Sequence, residues 1–370
     1  MKRILILVTS LDRGGIETMI MNYYRVLDRE KYQFDFLINR AERGAYEDEI
    51  EALGGKVFRM GKIAPWRYFG YRKELLAFLR EHPEYKIIHS HLEERSWWGL
   101  SIAAKAGVSV RIAHMHNVYP VTLNPKSWYR QWLRWRIRLS RQVVTGRLAC
   151  SQMAGQWLYG RLKFSVLTNA ITLEKFEFNR GKRRVIREEL GLDEDVVLVG
   201  QVGRLVTQKN PMLMPRVIRE SGGKYQMIYI GKGELEDQLR REIESLGVEK
   251  RVKLLGTSDR VQDYYMAMDV LVVPSMFEGL GMVVVEAGAT GLPVIASEHV
   301  PNEANVAGNV IQRVALGEIE PWVKALRAVE MISEKERVEK SRDGRKAELE
   351  RGYDVKHAVK WLEKYYLEAK

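Results

Sequence analysis

The sequence contains a single cysteine, Cys150, among 370 residues, so no internal disulfide can form. It also lacks any apolar run near the length of about eighteen residues that a membrane-spanning helix needs. The apolar part of the opening segment MKRILILVTS is too short for the core of a signal peptide. We therefore expect a cytoplasmic protein in a reducing compartment, and any contact with a membrane would be peripheral.

Acidic residues are scarce in one long segment. Between Lys56 and Lys163 there are 20 Lys and Arg residues against 5 Asp and Glu, while the whole chain has a net charge of +12. The excess positive charge therefore belongs to one half of the molecule. Such a surface attracts anionic lipids, nucleic acids and phosphorylated ligands alike, so charge alone does not choose among them.

The chain also lacks the glycine spacing of a dinucleotide site. A nicotinamide enzyme of the Rossmann type carries G-x-G-x-x-G directly after a strand, with an acidic residue about twenty positions later. Here the first predicted strand is followed by LDRGGIETMIMNYY, in which Gly14 and Gly15 predict a tight turn and Glu17 falls in the first helical turn. We therefore set a nicotinamide-dependent enzyme aside.

What the sequence does contain is an alternation of short β-branched runs with helical patterns. This alternation predicts an α/β fold with doubly wound parallel sheets, and it runs through the chain twice. The first series of candidate strands is RILILVTS, FDFLIN, KVFRM, KIIHSH, VRIAHMH, RLACS and SVLTNA. The second series is VVLVGQVGR, QMIYIGK, RVKLLG, DVLVVPS and PVIAS, after which we expect only helices.

Two Rossmann-like domains are therefore predicted, over residues 1–172 and 196–350. Open parallel sheets bind ligands at the carboxyl ends of their strands, so the functional cleft is expected between the two domains. Residues 173–195 are expected to form a linker and a helix. Residues 351–370 carry the pattern of a final helix that could cross back to the first domain.

The stretch FEGLGMVVVEAGATGLP follows the predicted strand DVLVVPS and carries two acids, Glu278 and Glu286. A helix that begins here presents free N–H groups that favour an anion, and Gly279 and Gly281 allow a phosphate to approach the backbone. Glu286 can accept two hydrogen bonds from a vicinal diol such as a ribose, while Glu278 can face a sugar. These features suit a sugar nucleotide, although an acid that only stabilises a helix N-terminus explains them equally well.

Two cations are expected at the rim of the same sheet. The strand LVGQVGR ends in Arg204, and Lys209 follows five residues later. Arg suits bidentate contact with a phosphate and Lys supplies a point charge, so together they could hold a diphosphate. A departing diphosphate gains negative charge, and cations placed there stabilise the transition state more than the ground state. Taken singly, each residue is more readily explained as a solvated loop cation.

Four histidines fall at the ends of two predicted strands: His89 and His91 in KIIHSH, and His114 and His116 in VRIAHMH. Pairs of the form H-x-H occur in metal sites. Alternation along a strand puts His89 and His91 on one face, but no acidic third ligand is near. We therefore favour a histidine that hydrogen-bonds a sugar hydroxyl or a phosphate over a metal site.

These motifs together resemble the retaining glycosyltransferases of family 4, also called glycosyltransferase group 1. The resemblance rests on GGIE, HMHN, CS, TNAI, GRLVTQKN, GKGELE, VKLLG and PSMFEGLGMVVVEAGATGLPVIAS, which span nearly the full chain. Its most specific element is the E-x7-E motif of Glu278 and Glu286. Through HSHLE and RIAHMHN the chain is most similar to bacterial capsule and exopolysaccharide enzymes. The resemblance implies the GT-B fold, in which two Rossmann-like domains face a central cleft.

The resemblance also implies roles for individual residues. Arg204 and Lys209 match the family's diphosphate-binding pair, Glu286 matches the carboxylate on the ribose, and Glu278 matches the one near the donor sugar's hydroxyls. The other matching positions are the backbone of Gly279, Leu280 and Gly281 near the sugar and diphosphate, His116 of the first domain, and Gly15 beside the phosphates. One departure is TNAI, where Ala170 replaces the more common glycine; a slightly altered hinge with retained activity is expected.

Members of this family need no metal ion, so the resemblance implies no metal and no cofactor. The one D-x-D of the sequence, Asp193 to Asp195, precedes a strand instead of ending one, and we interpret it as a solvated turn. The resemblance implies a front-face substitution, in which the leaving phosphate oxygen helps to remove the acceptor's proton, instead of a carboxylate nucleophile. The expected donor is a nucleotide diphosphate sugar, with UDP favoured, and the expected acceptor is a glycan or a lipid-linked sugar.

The segment PKSWYRQWLRWRIRLSRQ has tryptophans at helical spacing, with arginines between them and no acid. Basic amphipathic helices that carry tryptophan lie well in an anionic membrane interface. Packing of the tryptophans into the core, with merely solvated arginines, is an equally open alternative. Under the first hypothesis the residues that contact the membrane are Trp128, Arg130, Trp132, Arg134, Trp135 and Arg138.

Two other classes of function remain as alternatives. A sugar-nucleotide epimerase of the same fold would bind the same donor, but it would need acid–base groups in the cleft and no acceptor. A nucleic-acid-binding protein is supported only by the basic aromatic segment, since no RRM, KH or zinc signature is present, and no nucleic acid partner is expected.

Overall fold

The computed structural model describes residues 1–117 and 127–369 of the chain. The chain divides into two compact units, of which the first is Met1–Ile171 with Asp354–Lys370 and the second is Thr172–Tyr353. Each unit is built on one sheet of parallel strands. Two Rossmann-like units confirm the predicted α/β fold class.

The first sheet has seven strands in the order β3-β2-β1-β4-β5-β6-β7, and the second has six in the order β10-β9-β8-β11-β12-β13. The strands of the first sheet are β1 (Lys2–Val8), β2 (Tyr32–Ile38), β3 (Val57–Arg59), β4 (Ile87–Ser90), β5 (Val110–Met115), β6 (Gly146–Ala149) and β7 (Ser165–Val166). Those of the second sheet are β8 (Val197–Val202), β9 (Tyr225–Ile230), β10 (Val252–Leu254), β11 (Val270–Val273), β12 (Val294–Ser297) and β13 (Val310–Val314).

The α-helices follow the strands in the alternation that the sequence predicts. Those that accompany the first sheet, up to the crossing into the second unit, are α1 (Gly15–Val26), α2 (Glu47–Ala52), α3 (Tyr68–Glu81), α4 (Ser96–Lys105), α5 (Ser127–Leu139) and α6 (Gln152–Tyr159). The remaining helices are α7 (Arg180–Leu190), α8 (Leu213–Ser221), α9 (Glu236–Ser245), α10 (Val261–Ala267), α11 (Met282–Ala289), α12 (Glu320–Arg327), α13 (Glu334–Glu350) and α14 (Val355–Glu368).

In both sheets the direction of winding reverses beside the first strand. In the first sheet β1 lies between β2 and β4, and in the second sheet β8 lies between β9 and β11. The connections therefore leave in opposite directions, and a crevice opens at the carboxyl ends of the two central strands. The predicted site residues follow β1, β5, β8 and β11, so the topology brings each set to the carboxyl edge of its sheet, where ligands bind.

The last helix completes the core of the first unit. Asp354 caps its N-terminus by accepting a hydrogen bond from the backbone N–H of His357. Val359, Leu362 and Tyr366 are buried in the core around β1 and β2. Because a parallel sheet needs cover on both faces, this helix supplies apolar area that the first 171 residues lack.

One strand contradicts our expectation that only helices follow PVIAS. β13 (Val310–Val314) pairs with β12 at the edge of the second sheet, with a register shift between Val294 and Ile295. Its middle residues Ile311 and Gln312 are exposed, and only Val314 is buried. The prediction was wrong because an edge strand buries so little that its apolar pattern is broken.

Candidate active site

The candidate site of the second unit is formed by the loops after β8 and β11. The loop after β8 contains Arg204 and the short 3-10 turn Thr207–Lys209. The backbone N–H of Met276 donates to the carbonyl of Gln208 at 2.8 Å, and the Gln208 side-chain amide donates to the carbonyl of Phe277 at 3.0 Å. Adjacent parallel strands thus hold the two loops against each other.

The Lys209 ammonium bonds directly to the first acid of the E-x7-E motif. Its Nζ lies 2.6 Å from Oε1 of Glu278, whose side chain is buried. The backbone carbonyl of Lys209 accepts a hydrogen bond of 2.8 Å from the side-chain amide of Gln201. A buried carboxylate needs a partner of opposite charge, and Lys209 provides it.

Helix α11 begins at a turn that suits an anion. Gly281 is the N-cap, with a left-handed φ of 88° that a side chain would strain, and no side chain caps the helix. Leu280 is buried beside it. The first N–H groups of a helix have no i−4 partner within the helix. The N–H of Val284 already donates to the carbonyl of Gly281 at 2.9 Å, so Met282 and Val283 are the residues of α11 whose N–H groups could meet oxygen atoms of a ligand.

Glu286 lies in α11, close to the same lysine. The hydroxyl of Tyr265 in α10 donates to Oε2 of Glu286 at 2.6 Å. Burial raises the pKa of Glu286, while the hydrogen bond from Tyr265 and the charge of Lys209 oppose that rise. Lys209 therefore interacts electrostatically with both acids of the motif.

Arg204 differs from Lys209 because its side chain is exposed. Among the described residues, its guanidinium has no hydrogen bond or ion pair with a protein group. It is therefore free to bind an incoming anion without first breaking a protein contact. The predicted pairing of Arg204 and Lys209 on a diphosphate stays a prediction.

A second buried acid, which the sequence argument missed, lies behind Glu286. Glu348 of α13 is fully buried, and both of its carboxylate oxygens lack a hydrogen-bond partner among the described residues. Burial and the nearby charge of Glu286 raise the pKa of Glu348 to about 9. No sequence signal distinguishes it, because Glu348 belongs to a helix rich in exposed charges.

In the first unit, Gly15 is the first residue of α1 and is exposed. A Cβ at Gly15 would meet no described atom of the protein, whereas one at Gly14 would clash with the carboxylate of Glu17. Because the atoms that a Cβ would meet at Gly14 belong to the end of a flexible side chain, a small shift of Glu17 would relieve that contact. Open space at Gly15 is compatible with the predicted approach of phosphates, which stays a prediction.

The four histidines form one buried cluster. Nε2 of His89 lies 3.2 Å from Nδ1 of His114, and Nδ1 of His91 lies 2.8 Å from Nε2 of His116. The hydroxyl of Tyr366 lies 2.6 Å from Nδ1 of His89. Ring nitrogens of His89, His91 and His114 all lie within 4.8 Å of one another, a grouping that could hold a metal ion. The third nitrogen of this grouping belongs to His114 on the neighbouring strand β5, and no acid takes part in it.

The contacts of the cluster are also those expected of neutral imidazoles. Burial lowers the pKa of His89 and of His116 to about 3, so all four rings are uncharged at neutral pH. His116 Nε2 faces His91, while its Nδ1 and Oδ1 of Asn169 are both buried without a hydrogen-bond partner among the described residues. The side chain of Asn169 also interacts with the ring of His116 and opposes the fall in its pKa.

Helix α5 separates its tryptophans from three of its arginines. Trp128, Trp132 and Trp135 are 71%, 42% and 52% exposed, so they do not pack into the core. The arginines face the protein: Arg130 pairs with Glu94, and Arg138 donates to the carbonyl of Leu158 at 2.9 Å. Contact of this helix with a membrane stays a prediction, and it now rests on the tryptophans.

The guanidinium of Arg134 also faces inward, 4.1 Å from the centre of the Trp157 ring.

Among the described residues, no helix combines the length and the apolar character that crossing a membrane requires.

Comparison with known proteins identifies the family. The model of glycosyl transferases group 1 matches residues 182–343, and that of glycosyltransferase family 4 matches residues 13–175. EpsF of Bacillus subtilis, which is named as a glycosyltransferase, is 31% identical over 342 residues that cover 88% of this chain and 87% of that protein. The chain belongs to the family 4, group 1 glycosyltransferases and is a glycosyltransferase enzyme.

Two further relatives are similar over most of their length. An Escherichia coli UDP-Gal:α-D-GlcNAc-diphosphoundecaprenol α-1,3-galactosyltransferase is 26% identical over 328 residues, covering 85% of this chain and 84% of that enzyme. The crystal structure of Anabaena HepE in complex with UDP-glucose has a TM-score of 0.80 at 20% identity and covers 100% of both chains. The structural likeness shows that the fold is that of GT-B glycosyltransferases.

Proposed function

We propose that this enzyme is a retaining glycosyltransferase that moves a sugar from a UDP-sugar to a lipid-linked acceptor in the biosynthesis of a cell-surface polysaccharide. The observation that carries the proposal is the ion pair of Lys209 with Glu278 just before α11, together with the effect of the same lysine's charge on Glu286. HepE, with the same fold, binds UDP and UDP-glucose, and the E. coli relative acts on a diphosphoundecaprenol acceptor.

The diphosphate of the donor binds Arg204, Lys209 and the free N–H groups at the start of α11. Arg204 is exposed and Lys209 is anchored through its backbone, so the first can close on the ligand while the second stays fixed. Glu286 accepts hydrogen bonds from the ribose hydroxyls, with its orientation set by Tyr265. Glu278 contacts hydroxyls of the donor sugar and acts as a positioning group.

In the reaction itself the bond between the anomeric carbon and the diphosphate breaks, and the acceptor hydroxyl attacks from the same face. The leaving phosphate oxygen takes up the acceptor's proton. Negative charge grows on the diphosphate as the bond breaks, so Lys209 and Arg204 stabilise the transition state more than the bound substrate. His116 contributes Nδ1 from the first unit as a hydrogen-bonding group for the sugar or a phosphate.

We propose that this chemistry needs no metal ion, because the two cations occupy the role that a divalent ion would have. The histidine cluster is accounted for as a set of neutral, hydrogen-bonded rings behind His116. Location in the cytoplasm, with α5 against the inner face of the membrane, is part of the same proposal. The exposed tryptophans of that helix and the absence of acids from it support the membrane contact.

The experiment is incubation of the enzyme with a panel of UDP-, GDP- and ADP-sugars and a sugar-diphosphoundecaprenol acceptor. We expect one UDP-sugar to yield a new glycoside of unchanged anomeric configuration, with release of UDP. Conversion of the donor to its epimer without an acceptor would instead support the epimerase, which the relatives' names do not favour. An inverted product would overturn the retaining mechanism.

A further inference from the structure

The first unit carries an aromatic groove that the proposed chemistry does not use. It has a volume of about 970 Å³ and lies along α4, between α3 and α5. Its floor is formed by Trp97 and Trp98, and its sides include Tyr68, Phe69 and Trp132. The ring of Tyr68 meets that of Trp98 edge to face at 4.5 Å. Aromatic walls of this kind suit an extended hydrocarbon chain.

Large apolar side chains continue from the groove onto the surface. Trp66, in the 3-10 turn before α3, and Phe69 in the first turn of α3 are 81% and 79% exposed, and Leu139 at the end of α5 is also exposed. Soluble surfaces rarely display several such side chains together, and Trp at this density is typical of the membrane interface. The groove therefore opens among residues that favour the boundary between water and lipid.

Positive charge without an acidic partner lines the same groove. Lys105, Arg111, Arg136 and Arg141 all contribute to it, and none of the described lining residues is acidic. Among the described residues, none of these four cations forms an ion pair. The groove therefore offers apolar contacts for a hydrocarbon chain and positive charges for an anion.

Among these cations, Arg136 offers the best-defined contact for an anion. Its guanidinium lies 4.7 Å from the centre of the Trp97 ring and 5.7 Å from that of Trp132, and its Nε is buried without a hydrogen-bond partner among the described residues. Leaving such a donor unpaired costs free energy, so an acceptor oxygen from a ligand would be favoured there. Arg111 is different, because carbonyls of Val143 and Ser109 accept its hydrogen bonds.

We infer that this groove binds one anionic phospholipid, with the phosphate on Arg136 and Arg141 and an acyl chain along Tyr68 and Trp98. The site is separate from the donor site. The inference rests on the proposed membrane contact and specifies which kind of lipid takes part in it. The positive charges of the groove favour an anionic headgroup, and the aromatic side chains of its floor favour contact with an acyl chain. Phosphatidylglycerol has this chemistry, whereas phosphatidylcholine carries a compensating positive charge.

The test uses the whole enzyme with vesicles of phosphatidylglycerol and phosphatidylcholine, and it needs no glycosyltransferase activity. Acyl chains brominated near the headgroup should quench tryptophan fluorescence only in the phosphatidylglycerol vesicles. The double variant R136Q/R141Q should bind those vesicles at least tenfold more weakly, because each basic residue near an anionic surface contributes about 1 kcal/mol. The variant R180Q/R184Q removes two exposed arginines of the second unit as a matched control and should bind as the wild type does.

A second variant separates the groove from general electrostatic adsorption. S101F/A104F fills the groove from α4 without changing any charge. Native mass spectrometry from detergent should show one phosphatidylglycerol per wild-type chain and none on this variant, whose circular dichroism and melting temperature verify folding. Retention of the bound lipid by S101F/A104F, equal binding to phosphatidylcholine, or an equal loss in R180Q/R184Q would overturn the inference. A failure of sugar transfer in the earlier assay would leave these results unaffected.

Discussion

At the scale of single residues, the site depends on one lysine shared by two acids. Lys209 is paired with Glu278, and its charge opposes the rise in the pKa of Glu286 that burial causes. An incoming diphosphate would compete with Glu278 for the same ammonium group. On the proposed mechanism, release of Glu278 would free its oxygen atoms for hydroxyls of the donor sugar, and the ion pair would couple diphosphate binding to sugar binding.

The substitution Lys209→Met should lower kcat by about two to three orders of magnitude, which is the usual loss when one preorganised charge-stabilising group is removed. Steady-state kinetics with the preferred UDP-sugar would measure it. Lys250→Met removes an exposed lysine from the same unit and should leave kcat unchanged. An equal kcat for Lys209→Met and the wild type would contradict the role of Lys209.

The substitution Glu286→Gln should weaken UDP binding about tenfold to a hundredfold, because charge-assisted hydrogen bonds contribute about 1.5–3 kcal/mol. Isothermal titration calorimetry gives this value directly. Glu249→Gln, at an exposed position, is the matched control. If Glu286→Gln bound UDP as tightly as the wild type, the assignment of this carboxylate to the ribose would be refuted.

The sequence predicted the residues at strand ends, but it did not predict their partners. Arg204, Lys209 and Glu278 follow strands whose apolar runs are plain in the sequence, so their common edge could be inferred. Tyr265 reaches Glu286 from α10, a neighbouring helix. Such contacts depend on helix packing, which one sequence without further information does not specify.

At the scale of secondary-structure elements, α11 and α13 approach closely enough to bury an acid between them. A Cβ at Gly288 of α11 would come 2.5 Å from Oε1 of Glu348, and a Cβ at Gly344 of α13 would clash with the carbonyl of Gly288. The two glycines therefore permit backbone contact. Oδ1 of Asn309 lies near the same point and also lacks a hydrogen-bond partner among the described residues.

The protonation of Glu348 predicts a pH-dependent stability. Its pKa is about 9 in the folded chain against an ordinary value of 4.5, so the folded state binds more protons between these values. The free energy of unfolding should therefore fall as pH rises from 5 to 9, by up to about 1.4 kcal/mol per pH unit from this group. Glu348→Gln keeps the neutral shape and should lose this dependence.

Urea unfolding at pH 5, 7 and 9 would compare the two proteins. We expect the stability of the variant to rise relative to that of the wild type as pH rises. Only in the wild type must Glu348 take up a proton on folding, and this becomes more costly at high pH. The variant Glu350→Gln, at an exposed position of the same helix, should follow the wild type. Parallel curves for Glu348→Gln and the wild type would show that Glu348 is not held in its neutral form.

The periodicity of α5 predicted its exposed tryptophan face but not the partners of its arginines. The spacing of its tryptophans predicted an amphipathic helix, and they do lie on an exposed face. The partners of its arginines were not predictable, since Glu94 comes from an earlier connection and the carbonyl of Leu158 comes from α6. Charge spacing within one helix carries no information on groups that pack against it from elsewhere.

At the scale of the whole molecule, both sheets could be predicted from the sequence because buried parallel strands appear as continuous apolar runs. The seven strands of the first sheet and five of the second were found in this way. β13 was missed because it lies at an edge and buries only Val314. The pattern of residues 351–370 predicted a final helix that could cross back to the first domain, and α14 does belong to the first unit.

Catalysis without a metal ion can be tested on the intact enzyme. Turnover should be unchanged after dialysis against EDTA, and elemental analysis should find less than one equivalent of zinc, nickel or cobalt per chain. The variant H89Q/H114Q keeps hydrogen-bonding groups in the cluster and removes two ligands of the alternative metal site. Loss of activity on EDTA treatment, restored by a metal ion in the wild type but not in the variant, would show that the cluster is a metal centre.

The most direct test of the central claim is a crystal structure of the enzyme with its UDP-sugar. The account predicts that the diphosphate lies within hydrogen-bonding distance of Arg204, of Lys209 and of the backbone at Gly279 to Gly281, with the ribose hydroxyls on Glu286. A diphosphate bound away from these groups, with Lys209 still paired to Glu278, would contradict it.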